Sequence, residues 1–441
     1  MTVENGQLRT VLPVAPPPGS DAAQGIDNVN REQSVPPYRV RQAENVDFDR
    51  DGRVKRRAGY SRVIAGSAHS LWSAPDFPYM LAVIDSALVA IDSDYNTTPL
   101  VTGVGHVVPV SYEVVDRTVY WSNRQRSGRI TAALEALPLG IEAPGTPNVS
   151  AHSVGGLHEG SYIVATTYIA SNGEESGACQ PAVVDVAEGQ GIMVGSMSQS
   201  ADPTVTSVGV YVTDCNGETL FLKRSVVNGS SQVVIGAAGH TTRTLDTLWL
   251  KPLPPGHIVA YYNGRLWVAS GRMLYWSDAL RYGYYDPTRN YIRFDDDVSL
   301  LAPSSEGSSG GLFIAAGKRT YYMEGDDPKK MRRTIVYPHG AVVGSQVFAR
   351  GTIFGGEQAS RMPVWVASNG VFCAGSASGS VTPLTEASYT APSSSRGASI
   401  LREYMGQRHI MVNLKGRGVD GFRARDSVVA TVVRNGVVVD Q

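Results

Sequence analysis

Cysteine is scarce. Three in 441 residues cannot make a disulfide framework, so the fold must rest on buried apolar surface. Cys179 and Cys215 fall in one region and could approach each other, but free buried thiols are the expectation. No apolar run approaches the ~18 residues of a membrane-spanning helix. The N-terminus is polar and then proline-rich, unlike a secretory signal. A soluble protein made in a reducing cytoplasm is expected, with export by a route such as cell lysis left open. Charge is nearly balanced, with a formal net charge of −1. That excludes a global attraction to nucleic acid or membrane. No amphipathic helical pattern extends beyond about two turns.

Catalytic and metal-binding patterns are also lacking. The 8 histidines are scattered, and there is no H-E-x-x-H, C-x-x-C or P-loop. Gly416, Gly418 and Gly421 match G-x-G-x-x-G formally, but β pattern follows where a phosphate-binding helix is required. Gly307, Ser309 and Gly311 match G-x-S-x-G, yet loop and strand surround them, whereas a nucleophile elbow needs a strand before and a helix after. Asp47, Asp49, Asp51 and Gly52 begin like a calcium loop. The twelfth position, Ala58, lacks the bidentate carboxylate, so a hairpin is the better reading. Asp295, Asp296 and Asp297 form the acidic cluster. Neighbours on a strand point to opposite faces, so three in a row do not make a glycosidase pair. No sialidase-type S-x-D-x-G-x-T-W box repeats. No enzyme, cofactor or metal is expected.

What is abundant is turn and strand chemistry. There are 47 Gly and 25 Pro, and Tyr, at 21, far exceeds Phe, at 9. Residues 257–278, HIVAYYNGRLWVASGRMLYWSD, hold three short apolar runs. Asn263-Gly264 separates the first two, and Ser270-Gly271 sets off the third. Asn-Gly between β-formers predicts a tight primed turn with φ > 0 at both positions. Leu266 and Val268 point one way, Trp267 and Ala269 the other, so both faces are apolar. A three-stranded meander between two layers follows, and a fourth strand would complete a propeller blade. Tyr120-Trp121-Ser122-Asn123 echoes Tyr275-Trp276-Ser277-Asp278, with Leu71-Trp72-Ser73 a weaker echo. Irregular units of about 40 residues are what degenerate blades produce.

The expected fold is all-β: a β-propeller of about six blades carrying an inserted fibronectin/Ig-like β-sandwich. Residues 1–24 read as an extended arm. Residues 25–144 read as the first part of the propeller, 145–252 as the sandwich and 253–441 as the second part. Within the insertion, Tyr162, Val164, Thr166 and Tyr168 share a strand face, Asn172-Gly173 turns the chain, and Asn216-Gly217 makes another hairpin. Arg53, Lys55, Arg56 and Arg57 form a basic patch, read either as a solvated face or as a docking surface for an acidic partner.

Several stretches in this order resemble one family. Glu44-Asn45-Val46-Asp47, then Asp51-Gly52 and Arg56-Arg57-Ala58-Gly59, resembles an N-terminal segment of tailed-phage tail proteins. Tyr262-Asn263-Gly264-Arg265-Leu266-Trp267 with Tyr275-Trp276-Ser277 is similar to their blade hairpin. Gly317-Lys318, Tyr321, Tyr322, Gly325 and Pro328, then Gly340 and Ser345, are similar to a later one. The run from Gly160 to Glu174, Glu175 and Ser176 resembles fibronectin-type insertions of phage structural proteins. The family is the tail nozzle or hub proteins of short-tailed phages, including phage stabilisation proteins.

The resemblance implies a virion structural protein without catalytic residues. It would be assembled in the host cytoplasm and located in the virion tail. Such a protein is a homo-hexameric ring beneath the portal and its adaptor or head-completion protein. It retains packaged DNA, conducts double-stranded DNA at ejection and contacts tail fibres or spikes; no membrane anchor is implied. A DNA conduit should not bind DNA, because Lys/Arg–phosphate contacts release counterions and hold the duplex. Asp295, Asp296 and Asp297 are therefore expected to face the channel or solvent, and Arg53, Lys55, Arg56 and Arg57 a neighbouring subunit. The other readings are a propeller lectin or receptor-binding tail protein, with an aromatic-plus-acid pocket in each blade, and a propeller glycosidase.

Overall fold

The computed structural model describes residues 25–36, 38–41, 43, 61–74, 76–237, 242–306, 309–351, 361–404 and 407–416, together with the strands at 2–4, 7–9, 46–48, 54–56, 427–433 and 436–440. It is all-β. Among the described residues, helical structure is confined to the 3-10 turn Glu32–Ser34 and to Gly351. The chain divides into two compact units, Gly66–Arg293, and Met1–Ala65 with Phe294–Gln441.

The unit Gly66–Arg293 holds three four-stranded antiparallel meanders. The first comprises Ala68–Trp72, Met80–Ile84, Ala87–Ile91 and Thr97–Val101. The second comprises Ser111–Val115, Thr118–Ser122, Ser127–Ile130 and Ala136–Pro138. The third comprises Ile258–Tyr262, Arg265–Ser270, Met273–Trp276 and Tyr291–Arg293. Asn263 and Gly264 both have positive φ, 47° and 67°, as the primed turn requires. Asp85-Ser86 and Asp116-Arg117 make the same kind of turn without glycine, with φ of 47° and 72°, and of 49° and 61°.

Side-chain alternation sets the packing. Val119 and Trp121 pack with Leu81, Val83, Leu88 and Ala90 of the first meander. Tyr120, between them in sequence, packs with Val259, Leu266 and Val268 of the third. The second meander is thus apolar on both faces because it lies between two others. Burying each such side chain contributes ~1.5–3 kcal/mol.

Between the second and third meanders lie Lys251–Pro252, which pairs with Tyr284–Tyr285, and seven strands that form two sheets. Asn148–His152, Gly191–Gly195 and Gln232–Ile235 form a three-stranded sheet. Ala182–Val186, Gly160–Ala170, Val205–Val212 and Phe221–Val227 form a four-stranded one. The two share one apolar cluster, including Tyr162, Val164, Ile192, Val194 and Val210. Tyr162, Val164, Thr166 and Tyr168 are all buried. The chain leaves and returns at one point. The Leu253 N–H donates to the Gly283 carbonyl at 2.9 Å, and a Cβ on Gly283 would lie 2.3 Å from the Leu139 carbonyl oxygen. Ser122 Oγ accepts the Gly256 N–H and donates to the Gly256 carbonyl, each at 2.8 Å, joining the second and third meanders directly.

The other unit contains three further meanders. The fourth is Val298–Glu306, Ser309–Ala316, Arg319–Glu324 and Arg332–Tyr337. The fifth is Val347–Arg350, Arg361–Val366, Phe372–Gly375 and Val381–Pro383, joined to the fourth through Ser305 and Arg361. The sixth is Ser394–Tyr404, Gln407–Gly416, Ser427–Val433 and Gly436–Asp440. Alternation works here too. Trp365 packs with Phe313 and Tyr322 of the fourth meander, while Val364 and Val366 pack with Ile410, Val412 and Leu414 of the sixth. Ile26 joins this second cluster. Asn28 exchanges two 3.0 Å hydrogen bonds with the Thr390 backbone. Val46–Phe48 pairs with Val54–Arg56 in the expected hairpin.

Candidate functional site

The residues singled out in the sequence do not converge. Asp295, Asp296 and Asp297 are exposed and precede the first strand of the fourth meander. The Asp296 carboxylate accepts the Asp297 N–H at 2.8 Å. Lys55 and Arg56 lie on the strand Val54–Arg56, while Arg53 and Arg57 lie outside the described residues. So do Asp49, Asp51 and Gly52 of the calcium-like loop, Gly307 and Gly418–421 of the glycine motifs, and most of the 1–24 arm. Gly311 continues a strand, with no helix after it. Among the described residues, no three His, Cys, Asp or Glu side chains could hold a metal ion. No described helix is long and apolar enough to cross a membrane.

The Tyr-Trp-Ser echoes are structural. Trp121, Ser122, Trp276 and Ser277 are buried. Ser277 Oγ accepts the Leu266 N–H at 2.9 Å, as Ser122 Oγ accepts that of Gly256. These side chains close strands and are not available to line a pocket. The cysteines are free: Cys179 and Cys373 are buried, and Cys215 is partly so. Cys179 Sγ accepts the Thr166 N–H at 3.2 Å, and the Cys215 thiol donates to the Glu159 carbonyl at 3.1 Å.

The densest ionic chemistry lies on Glu174 and Glu175, just past the Asn172-Gly173 turn. Glu174 Oε2 accepts Arg129 Nη2 at 2.6 Å, with both side chains 16% exposed. Its Oε1 accepts the Tyr284 hydroxyl at 3.1 Å, and that hydroxyl in turn accepts the Ile141 N–H at 2.9 Å. Burial, followed by the Glu174 charge, pushes the Tyr284 hydroxyl far above its ordinary value. Glu175 turns the other way. Its Oε1 accepts Thr167 Oγ1 at 2.6 Å and the Tyr211 hydroxyl at 2.8 Å, and its Oε2 accepts Arg243 at 2.5 Å. Adjacent carboxylates committed to separate donor sets do not form an acid–base pair. They clamp the strands between the second and third meanders: Glu174 ties them to the second meander and to Tyr284, and Glu175 ties Thr167, Tyr211 and Arg243 together. The sequence run ending in Glu174, Glu175 and Ser176 is thus an anchoring element.

Two exposed apolar side chains escaped the sequence reading. Trp249 is 62% exposed and Leu280 74%. Trp249 sits on the turn 247–250, closed by the Leu250 N–H to the Thr247 carbonyl at 3.1 Å. Leu280 has a left-handed backbone, φ 59°, and its N–H donates to the Gly264 carbonyl at 2.8 Å. Between the two turns, Arg281 Nη2 meets Asp246 Oδ2 at 2.5 Å. In a single sequence an isolated Trp reads as core, so only exposure could have revealed it.

No family model matches the sequence, and no curated protein matches it. Among solved structures, it is similar to BBS1N in a complex with ARL6DN soaked with lead: 11% identity, 86% of this chain and 92% of that one covered, TM-score 0.32. It is similar to PorZ, a bacterial surface component of the type-IX secretion system of Porphyromonas gingivalis: 10% identity, 80% and 57% covered, TM-score 0.25. It is also similar to a eukaryotic initiation factor: 10% identity, 86% and 90% covered, TM-score 0.30. Likenesses at these TM-scores carry no argument about this chain.

Proposed function

We propose that the chain is a virion structural protein: a nozzle or hub subunit forming a ring at the end of the portal–adaptor complex of a phage tail. In this reading the six meanders are the blades of a propeller, and the seven strands between the second and third are an inserted fibronectin/Ig-like sandwich. One observation carries it. Of the phage-like stretches, 160–176 falls on the four-stranded sheet between the second and third meanders, 262–277 on hairpins of the third meander, and 317–322 on the fourth. The ionic groups support it, being spent on clamping one element to another. The exposed Asp295, Asp296 and Asp297 suit a wall that must let DNA pass.

Negative-stain imaging of the purified protein, alone and with the portal–adaptor complex of the same phage, tests the proposal. A ring capping the complex, with a central channel, is expected. Monomers that never join the complex would refute it. Charge reversal at 295–297 should slow ejection with assembly intact, and unchanged ejection would remove those residues from the channel. Charge reversal at 53, 55, 56 and 57 should weaken the ring, and an unchanged ring would remove the docking role.

A further inference from the structure

We infer that His69 and Ser70 form an acyl-transfer site that hydrolyses carboxylic esters. The inference does not depend on the ring. Ser70 Oγ lies 2.8 Å from His69 Nδ1, and His69 Nε2 lies 3.1 Å from the Gly105 carbonyl oxygen. A carbonyl only accepts, so Nε2 carries the ring proton and Nδ1 accepts the Ser70 hydroxyl. The Val110 N–H donates to Ser70 Oγ at 2.9 Å and holds it in place. A nucleophile, its base and a third group orienting the base are thus within hydrogen-bond reach of one another, the arrangement that activates a serine. Both residues are half-buried, so neither is sealed in the core.

The backbone singles out the same serine. Ser70 and Leu71 fall in the bulge between the pairs His69–Val83 and Trp72–Leu81 of the first meander, and bulges re-aim side chains beside active sites. Ser70 has a left-handed backbone, φ 56°, where glycine would be less costly. Strain kept at a hydroxyl already aimed at its base points to chemistry. In the reaction, Ser70 Oγ attacks the acyl carbon and Nδ1 takes its proton. The bond to the leaving oxygen then breaks, and that oxygen takes the proton from Nδ1. Water attacks the acyl-Ser70 carbon, and Nδ1 accepts its proton and returns it to Oγ as the acid leaves. The orienting group is a neutral carbonyl in place of a carboxylate, so it stabilises the imidazolium less. That restricts the substrate to esters, whose leaving oxygen needs less help than the nitrogen of an amide.

The test uses the full-length protein with p-nitrophenyl acetate and, separately, with a fluorophosphonate. Turnover of the ester is expected, with an acetyl group found on Ser70 when the reaction is quenched in acid and read by mass spectrometry. Ser70→Gly suits the left-handed backbone and should fold, which a melting curve matching wild type checks. It should lower kcat/KM roughly 10²-fold, the low end of what a positioned base contributes. His69→Gln leaves the hydroxyl and removes the base, and should lower kcat/KM by a similar factor. The fluorophosphonate should label Ser70 in the wild type and leave it unlabelled in His69→Gln. Absence of any acetyl or phosphonyl adduct on Ser70 would overturn the assignment. So would ester turnover by Ser70→Gly or His69→Gln equal to that of the wild type.

Discussion

Removing Glu174 should loosen the sheet that carries it from the second meander. Glu174→Ala leaves the Arg129 guanidinium in a pocket where it was 16% exposed and held at 2.6 Å. It also removes the acceptor of the Tyr284 hydroxyl. Breaking a buried pair from one side costs ~3–5 kcal/mol, and the residual solvent access favours the lower end, ~3 kcal/mol. For a unit the size of residues 66–293, each kcal/mol lowers the melting temperature by about 2–4 °C, so a drop of ~6–12 °C is expected. Glu174→Gln keeps the acceptor shape but loses the charge, and should cost ~1–2 kcal/mol. Replacing both partners, Arg129→Met with Glu174→Leu, should return stability to within ~1 kcal/mol, since the uncompensated charge is gone. Calorimetry of wild type, Arg129→Met, Glu174→Leu and the double variant closes the cycle. A single-variant loss under ~0.5 kcal/mol, the range of an ordinary surface site, would refute the clamp.

Native protein treated with a thiol reagent should react rapidly at Cys215 alone. Cys179 and Cys373 are buried, and the Cys373 thiol is pushed up to about 12, chiefly by burial; fast labelling of all three would contradict this. At Asp286, burial alone would raise the carboxyl, but hydrogen bonds from Thr288 and Arg289 outweigh it and hold it below the ordinary 3.8. Its stabilisation is therefore complete above about pH 4 and lost as pH falls through the lower folded value. Asp286→Asn should flatten the acid limb of the melting profile, and an unchanged limb would remove the linkage. Gly177→Ala would place a methyl 1.9 Å from the Leu250 carbonyl oxygen. It should destabilise by ~1–3 kcal/mol, which a melting curve matching wild type would disprove.

Much of the fold was legible because its code is local. Asn263-Gly264 demanded a primed turn, and the apolar faces of Leu266 and Trp267 demanded neighbours on both sides. Asp85-Ser86 and Asp116-Arg117 were not legible as primed turns. Their left-handed conformations are imposed by the strands they join, at a cost glycine would have avoided. The Tyr-Trp-Ser echoes were seen, yet their role as buried strand closures depends on partners such as Gly256, 134 residues from Ser122. Glu174 and Glu175 were conspicuous in sequence, but their donors Arg129, Tyr284 and Arg243 are scattered along the chain, so their roles required coordinates. Trp249 went unnoticed because side-chain exposure has no sequence signature at an isolated residue.

The meeting of Leu139 and Leu253 at Gly283 has a consequence for the order of folding. The second meander must wait for more than a hundred residues before its partner, the third, can dock. Closing a flexible loop of that length rather than one of about ten costs ~2 kcal/mol more in chain entropy. If the seven intervening strands collapse first, their ends arrive already together and that penalty falls on their own, more local contacts. The favoured sequence of events is therefore nucleation within residues 148–235, then docking of the third meander on the second. Variants that slow the collapse of residues 148–235 should delay burial of Trp267, which lies on the third meander rather than among them.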